Sequence, residues 1–132
     1  MRRLLGSTLF AACLAPLLAC GALAQGYSGD YAGTYTASQL PGQTLKIGLY
    51  FHQLNMHQMI ANYATSSGVS GACSGTVKGN VATMTCTNAT KSCPGTYRDH
   101  YTFSGTTVTW TYAGKDCLGR ETGKGVAHKV AH

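Results

Sequence analysis

The segment Cys73-Ser74-Gly75-Thr76-Val77-Lys78-Gly79-Asn80-Val81-Ala82-Thr83-Met84-Thr85-Cys86 decides the fold of this chain. Two alternating runs flank Gly79-Asn80, and glycine in the first position of a two-residue loop is typical of a type II′ β-hairpin. Residues then pair outward from this loop across two antiparallel strands. The predicted partners are Val77 with Ala82, Gly75 with Met84, and Cys73 with Cys86.

The two cysteines of this hairpin are predicted to form a disulfide that faces the core. They fall on a non-hydrogen-bonded pair, where side chains of neighbouring antiparallel strands approach most closely. The alternation agrees, because one face carries both cysteines, Gly75, Val77, Ala82 and Met84, and the other carries mostly threonine and serine.

A second hairpin is predicted around the loop Ser104-Gly105. One of its faces is aromatic, because that loop pairs Tyr101 with Val108, Asp99 with Trp110, and Tyr97 with Tyr112. The opposite face carries Arg98, His100 and four threonines, so it is polar. Continued towards its base, the hairpin brings Cys93 within about one residue of register with Cys117, which predicts the second disulfide.

The strand near residues 44-52 also has one core face, formed by Leu45, Ile47, Leu49 and Phe51. Its connection to the next strand has two solutions. A three-residue loop at 53-55 turns His57, Met59, Ala61 and Tyr63 inward, whereas a two-residue loop turns Gln58, Ile60 and Asn62 inward. We prefer the first, because it keeps two amides out of the core.

The fold class predicted from these patterns is all-β. No stretch after Gln25 has apolar residues at helical spacing over three turns. Short connections between consecutive strands are typical of an antiparallel meander, and eight strands are enough to close a small up-and-down β-barrel without exposed edges. The predicted strands lie near residues 30-36, 44-52, 57-64, 69-78, 81-88, 96-103, 106-113 and 124-130.

The N-terminus predicts export. Arg2-Arg3 precedes an apolar core, and Ala22-Leu23-Ala24 has the small-x-small pattern that signal peptidase cuts after. The run Leu17-Leu18-Ala19-Cys20-Gly21 resembles the bacterial lipobox, in which Cys20 becomes the lipidated first residue. Two alternatives therefore stay open: a signal peptide over 1-24 before a single barrel domain over 25-132, or a leader over 1-19 and a lipid tether at Cys20.

The number of cysteines and the net charge limit the classes of protein to which this chain can belong. Four cysteines follow the leader, and in an oxidising compartment an even set in a small domain predicts two disulfides, here 73 to 86 and 93 to 117. Without Arg2 and Arg3, eight cations and four carboxylates leave a formal charge of +4. The basic residues are scattered, so we predict no nucleic-acid partner.

Parts of the chain resemble known β-barrels. Gly33-Thr34-Tyr35 resembles the Gly-x-Trp opening of lipocalin-like barrels, and avidin-like barrels are similar in length and in Gly-x-Tyr strand starts. The single tryptophan, Trp110, does not supply the tryptophan-rich cage of avidin-like barrels, so no biotin-site residues are carried over. The whole chain is most similar to small cysteine-stapled barrel domains of bacterial envelope proteins, through Cys93-Pro94-Gly95-Thr96-Tyr97 and Asp116-Cys117-Leu118-Gly119. That resemblance implies fold and location, not an activity.

Asp99 is the most informative candidate for a site. In the predicted register it shares a face with the aromatic residues, where an unpaired carboxylate would be costly. One explanation is a structural hydrogen bond from a tyrosine hydroxyl, the Trp110 N–H or Arg120. The other makes Asp99 the polar anchor of an aromatic pocket at the barrel mouth. The candidate ligand-binding residues are Asp99, Tyr101, Trp110 and Tyr112.

Metal binding and catalysis are weaker hypotheses. His52, Met56, His57 and Met59 crowd the second hairpin, and imidazole with thioether is a ligand set that suits copper. We nevertheless predict no metal, no cofactor and no enzyme, because methionine in a strand is usually packing and the chain lacks a Gly-x-Ser-x-Gly elbow and a His-Glu-x-x-His helix.

The preferred interpretation is a non-catalytic exported protein of the periplasm, outer membrane or exterior that docks on another envelope or secreted protein. Its interior would be filled, because eight short strands enclose little space, and its contacts would lie in loops 37-43, 64-68 and 113-123. The alternative is a small-molecule binder with an aromatic-lined mouth, and a copper-binding protein is a third. A measured cavity distinguishes the first two.

Overall fold

The computed structural model of this protein describes residues 26–132. The predicted signal peptide, the cleavage sites and Cys20 lie outside these residues. Within them no helix is long and apolar enough to span a membrane. The strands are β1 (Gly29–Ala37), β2 (Leu45–Gln53), β3 (Gln58–Thr65), β4 (Ser70–Lys78), β5 (Val81–Asn88), β6 (Thr96–Ser104), β7 (Thr107–Asp116) and β8 (Gly119–Lys129).

The eight strands form a closed antiparallel barrel in which each strand pairs with its neighbours in sequence. Closure occurs between β1 and β8, where Tyr31 lies opposite Lys129 and Ala37 lies opposite Gly123. The last strand therefore covers the free edge of the first, and each of the eight described strands is paired on both sides. The predicted fold class is confirmed.

The first predicted hairpin has the predicted register, but the second does not. Cys73 pairs with Cys86 across Gly79-Asn80. In the second hairpin Tyr101 lies opposite Trp110 instead of Val108, because the turn is Gly105-Thr106 and not Ser104-Gly105. Gly79 and Gly105 have φ values of 60° and 59°, so a glycine takes the first position of both turns, where a positive φ is needed. The shift is two residues, and the predicted faces are unchanged.

The loop after β2 is longer than either predicted alternative. Gln53 pairs with Met59, and Asn55 organises the turn between them by accepting a hydrogen bond from the His57 N–H at 2.8 Å. Met59 and Ala61 are buried as preferred, and Tyr63 is partly buried. The inward placement of His57 is wrong, since that residue lies exposed in the loop.

The segment predicted as loop 113-123 is instead a continuous hairpin. β7 runs to Asp116 and β8 begins at Gly119, with only Cys117-Leu118 between them. Alternation persists here, but the inward positions include Gly114 and Gly123, which have no side chain to reveal an apolar face. The hydrophobic pattern therefore stops before the strands do.

The two predicted disulfides are both present. Cys73 and Cys86 are buried in the barrel, with their Cα atoms 4.0 Å apart. Cys93 and Cys117 join the connection between β5 and β6 to the turn between β7 and β8, with a Cα separation of 5.0 Å. The second bridge therefore fastens together two connections at the same end of the barrel.

One end of the barrel, here called the closed end, is filled by aromatic rings. Tyr27 precedes β1 and stacks on Phe103 with ring centroids 4.4 Å apart. The Tyr31 hydroxyl donates to the Tyr27 carbonyl at 3.2 Å, and Phe51 packs edge-on against Phe103 at 5.1 Å. Most of the apolar packing lies in this half. The opposite end, here called the open end, carries the connections 38-44, 66-69, 89-95 and 117-118.

In the open half of the barrel, broad rings pack closely against glycines of the neighbouring strand. A Cβ added to Gly125 would lie 2.3 Å from Cζ2 of the Trp110 ring, and one added to Gly123 would lie 2.3 Å from Cε1 of Tyr112. The wall therefore accommodates large rings without their filling the centre. The pairs are Tyr63 over Gly71, Tyr97 over Gly114, Trp110 over Gly125, and Tyr112 over Gly123.

Replacement of Gly125 by alanine is expected to destabilise the protein by about 1 to 3 kcal/mol, because the new methyl group must push Trp110 off the wall. Gly48→Ala is the matched control, since a Cβ at Gly48 meets nothing within 4 Å. Urea unfolding of both variants measures the difference. Equal effects of the two substitutions would contradict the proposed ring-on-glycine packing.

Candidate ligand-binding site

The open end leads into a cavity of about 280 Å³ inside the barrel. Its wall is formed by inward side chains of every strand except β4, together with residues of the connections at that end. A cavity near the lower end of the usual range suits a compact ligand. The aromatic and acidic residues that line it are Tyr35, Tyr63, Tyr97, Asp99, Tyr101, Trp110, Tyr112, Asp116 and Glu121.

Asp99 lies on the inner wall of this cavity and is only 6% exposed. One carboxylate oxygen, Oδ2, accepts a hydrogen bond from the Tyr101 hydroxyl at 2.7 Å. The other, Oδ1, is buried and has no hydrogen-bond partner among residues 26–132. Burial raises the pKa of Asp99 to about 6, against the lowering effect of the Tyr101 hydrogen bond. One carboxylate oxygen of Asp99 is thus left without a hydrogen bond inside the barrel.

Two further carboxylates lie above Asp99 towards the opening. Glu121 accepts a hydrogen bond from the Tyr112 hydroxyl at 3.1 Å, and burial raises the pKa of this carboxyl. Asp116 at the rim accepts from Tyr97 at 3.3 Å and from Gln39 at 3.1 Å. Slight burial raises the pKa of Asp116, but these hydrogen bonds outweigh burial, so that the pKa is lowered.

Four tyrosines of the cavity, Tyr63, Tyr97, Tyr101 and Tyr112, remain protonated over the ordinary pH range. Burial, followed by the nearby carboxylate of Asp99, raises the pKa of Tyr63 to about 12. The pKa values of Tyr97, Tyr101 and Tyr112 are also raised, first by burial and then by neighbouring acidic groups. The hydroxyls of Tyr97, Tyr101 and Tyr112 already donate to carboxylates, so these residues offer the cavity neutral rings.

The four predicted ligand-binding residues, Asp99, Tyr101, Trp110 and Tyr112, all border this cavity. Of the structural partners considered for Asp99, the Tyr101 hydroxyl is the one that binds it, and Arg120 is exposed on the outer face. Glu121 and Asp116 were missed because they fell in a predicted loop. Had the alternation been continued from Tyr112 through Gly114, it would have placed Asp116 inward.

The residues considered for copper are not brought to one face. His52, Met56 and His57 are exposed, whereas Met59 is buried in the core on the inner side of β3. The carboxylate of Asp99 lies within 4.8 Å of the sulfur atoms of Cys73 and Cys86. Those sulfurs form a disulfide, so they offer no thiolate to a metal.

The Asp99→Asn variant is expected to gain stability relative to the wild type as the pH rises. The folded-state pKa of about 6 lies above the ordinary value of 3.8, so the folded wild type binds the proton more tightly than the unfolded chain does. The contribution of Asp99 to stability is therefore greatest below pH 4 and falls through pH 6, by roughly 2 to 3 kcal/mol at most. Urea unfolding of both proteins at pH 4 and pH 7.5 tests this, and a difference that does not change with pH would contradict it.

No protein-family model matches this chain, and no curated protein matches it. Among solved structures the chain is similar to a redesigned β-barrel, mFAP1, bound to DFHBI, with a TM-score of 0.62 and 21% identity over 81% of this chain and 98% of that one. The structure of EF1p2_mFAP2b bound to DFHBI gives a TM-score of 0.67 and 19% identity over 84% and 99%. A de novo designed fluorescence-activating β-barrel gives a TM-score of 0.58 and 16% identity over 81% and 96%.

At these identities the likeness shows a common fold, the small closed antiparallel barrel. These similar structures are designed barrels and not domains of bacterial envelope proteins. The barrel part of the predicted resemblance is therefore confirmed, and the envelope part stays a prediction.

Proposed function

We propose that this protein binds a small molecule in the cavity at the open end of the barrel. The observation that carries the proposal is Asp99, which borders an open cavity of about 280 Å³ and whose buried Oδ1 lacks a partner among the described residues. Leaving such an oxygen unpaired costs free energy, and a ligand that donates a hydrogen bond to it would recover that cost.

The interpretation preferred from the sequence, docking on another protein through loops, is less well supported than its alternative. It assumed an interior filled by side chains, whereas the open half of this barrel contains a cavity. It also assigned contacts to a loop at 113-123, which is strand except at the turn. The short connections that remain at the open end fit better as the rim of a ligand site.

The designed barrels support the same proposal by their shape. Two of the similar solved structures are described as bound to DFHBI, a small molecule, and the present chain covers nearly the full length of both. A barrel of this size is therefore compatible with holding a compact ligand. The identity of the ligand does not carry over from these proteins.

We also propose that the protein is exported and acts by binding, without catalysis. Two disulfides favour an oxidising compartment, and the signal-like sequence before Gln25 points in the same direction. The periplasm, the outer membrane and the exterior are all consistent with this, and a lipid at Cys20 would fix the protein to a membrane.

Substitutions that fill the cavity test the proposal that it binds a small molecule. Ile47 lines the cavity, and Ile60 lies on the outer face of β3, so Ile47→Phe and Ile60→Phe make the same chemical change in different places. We expect a mixed set of neutral, cationic and anionic monocyclic aromatic compounds to include binders that shift backbone amide signals around the cavity. Ile47→Phe should weaken that binding at least about tenfold, and Ile60→Phe should leave it unchanged.

Trp110 is the only tryptophan of the chain, so its fluorescence gives an independent report on the cavity wall. The proposal fails if no compound of the set shifts cavity signals, or if the two variants weaken binding equally.

Intact mass of the protein purified from its source tests export. The expected mass is that of a chain that has been cleaved after Ala24 and has lost four thiol hydrogens. A species that begins at an acylated Cys20 would select the lipid-anchored form, and an unprocessed chain with free thiols would refute export.

A further inference from the structure

We infer that the ligand of this cavity is an organic cation, in particular a protonated amine attached to a small apolar group, whose ammonium group binds Asp99 Oδ1. The inference rests on the proposed function and specifies its ligand class. Its basis is the distribution of charge between the inside and the outside of the barrel.

Acidic and basic side chains are segregated by the barrel wall. Three of the four carboxylates after the predicted leader, Asp99, Asp116 and Glu121, border the cavity. The fourth, Asp30, accepts a bond from His132 at 2.8 Å at the closed end. All eight lysines and arginines of residues 26–132 are exposed, and none of them borders the cavity. An anionic ligand would meet acidic groups without a compensating cation.

The carboxylates of the cavity also differ in how well they are satisfied. Asp116 is paired by Tyr97, Gln39 and the backbone N–H of Leu118. Asp99 has only the Tyr101 hydroxyl, and its second oxygen is more than nine-tenths buried with no donor among the described residues. An ammonium group supplies both the positive charge and the N–H donors that this oxygen lacks.

The rings around Asp99 favour a cation of organic type. The negative face of an aromatic ring attracts a cation, and the cavity is lined by Trp110 and several tyrosines. A metal ion would require several charged or carbonyl ligands converging on one point. Near Asp99 the neighbouring sulfurs are held in a disulfide, so that coordination set is not available among residues 26–132.

A charge series with one carbon skeleton tests the inference. Phenethylamine, 2-phenylethanol and phenylacetate share a phenyl ring and a short chain but carry a positive charge, no charge and a negative charge at pH 7.5. We expect phenethylamine to bind about 10- to 100-fold more tightly than 2-phenylethanol, and phenylacetate to bind most weakly. Titrations followed by amide shifts and Trp110 fluorescence give the three affinities.

Two variants assign the preference to Asp99. Asp99→Asn should reduce the ratio of amine to alcohol affinity to near one while 2-phenylethanol binding is retained. Asp30→Asn makes the same substitution outside the cavity and should leave the ratio unchanged. Retained binding of 2-phenylethanol also shows that the Asp99→Asn cavity is still formed.

The outcomes separate this inference from the proposed function. If the alcohol binds as tightly as the amine, or if compounds of the mixed aromatic set bind the cavity while phenethylamine does not, the cation inference is wrong and the cavity remains a binding site. If no compound of that set binds the cavity, the proposed function itself fails, and the inference with it.

Discussion

The close packing of broad rings on glycine backbone is the contact on which the rest of this structure depends. An eight-stranded barrel has little interior volume, and ordinary inward side chains would fill it. Here the inward positions opposite Trp110 and Tyr112 are Gly125 and Gly123, so both rings lie against the wall. These rings also cover glycine backbone that would otherwise face the cavity. One arrangement therefore provides both a sealed wall and a cavity in a chain of modest length.

The two halves of the barrel differ in packing: the closed half is dense, and the open half contains the cavity. The closed end contains the stacked and edge-on rings of Tyr27, Phe51 and Phe103, and it supplies the dense packing that a small domain needs. The open end gives up that packing and holds Asp99 in a position that costs stability when the carboxylate is ionised. Sites that bind ligands commonly keep such unfavourable groups, because the ligand restores what the folded protein lacks.

Alternation predicts faces more reliably than it predicts register. For the hairpin of β6 and β7, a shift of two residues left Asp99 and the aromatic residues facing inward, so the candidate site was identified despite the wrong partners. The requirement for a positive φ at Gly105, already used for Gly79, would have given the correct turn. The cavity was not predictable in this way, since strand number suggests a filled interior and inward glycines leave no hydrophobic signal. Because these glycines give no hydrophobic signal, the full length of β7 and β8 was also not predicted, and neither was the inward position of Glu121.

Both disulfides lie next to the cavity. Cys73–Cys86 borders the cavity beside Asp99, and Cys93–Cys117 ties two connections at the rim. At the closed end, aromatic packing already restricts the strands. At the open end, the cavity takes the place of such packing. Covalent links at those points hold the rings and carboxylates at fixed separations before a ligand enters. A preformed site loses less entropy on binding, so for the binding function that we propose the crosslinks serve recognition as well as folding.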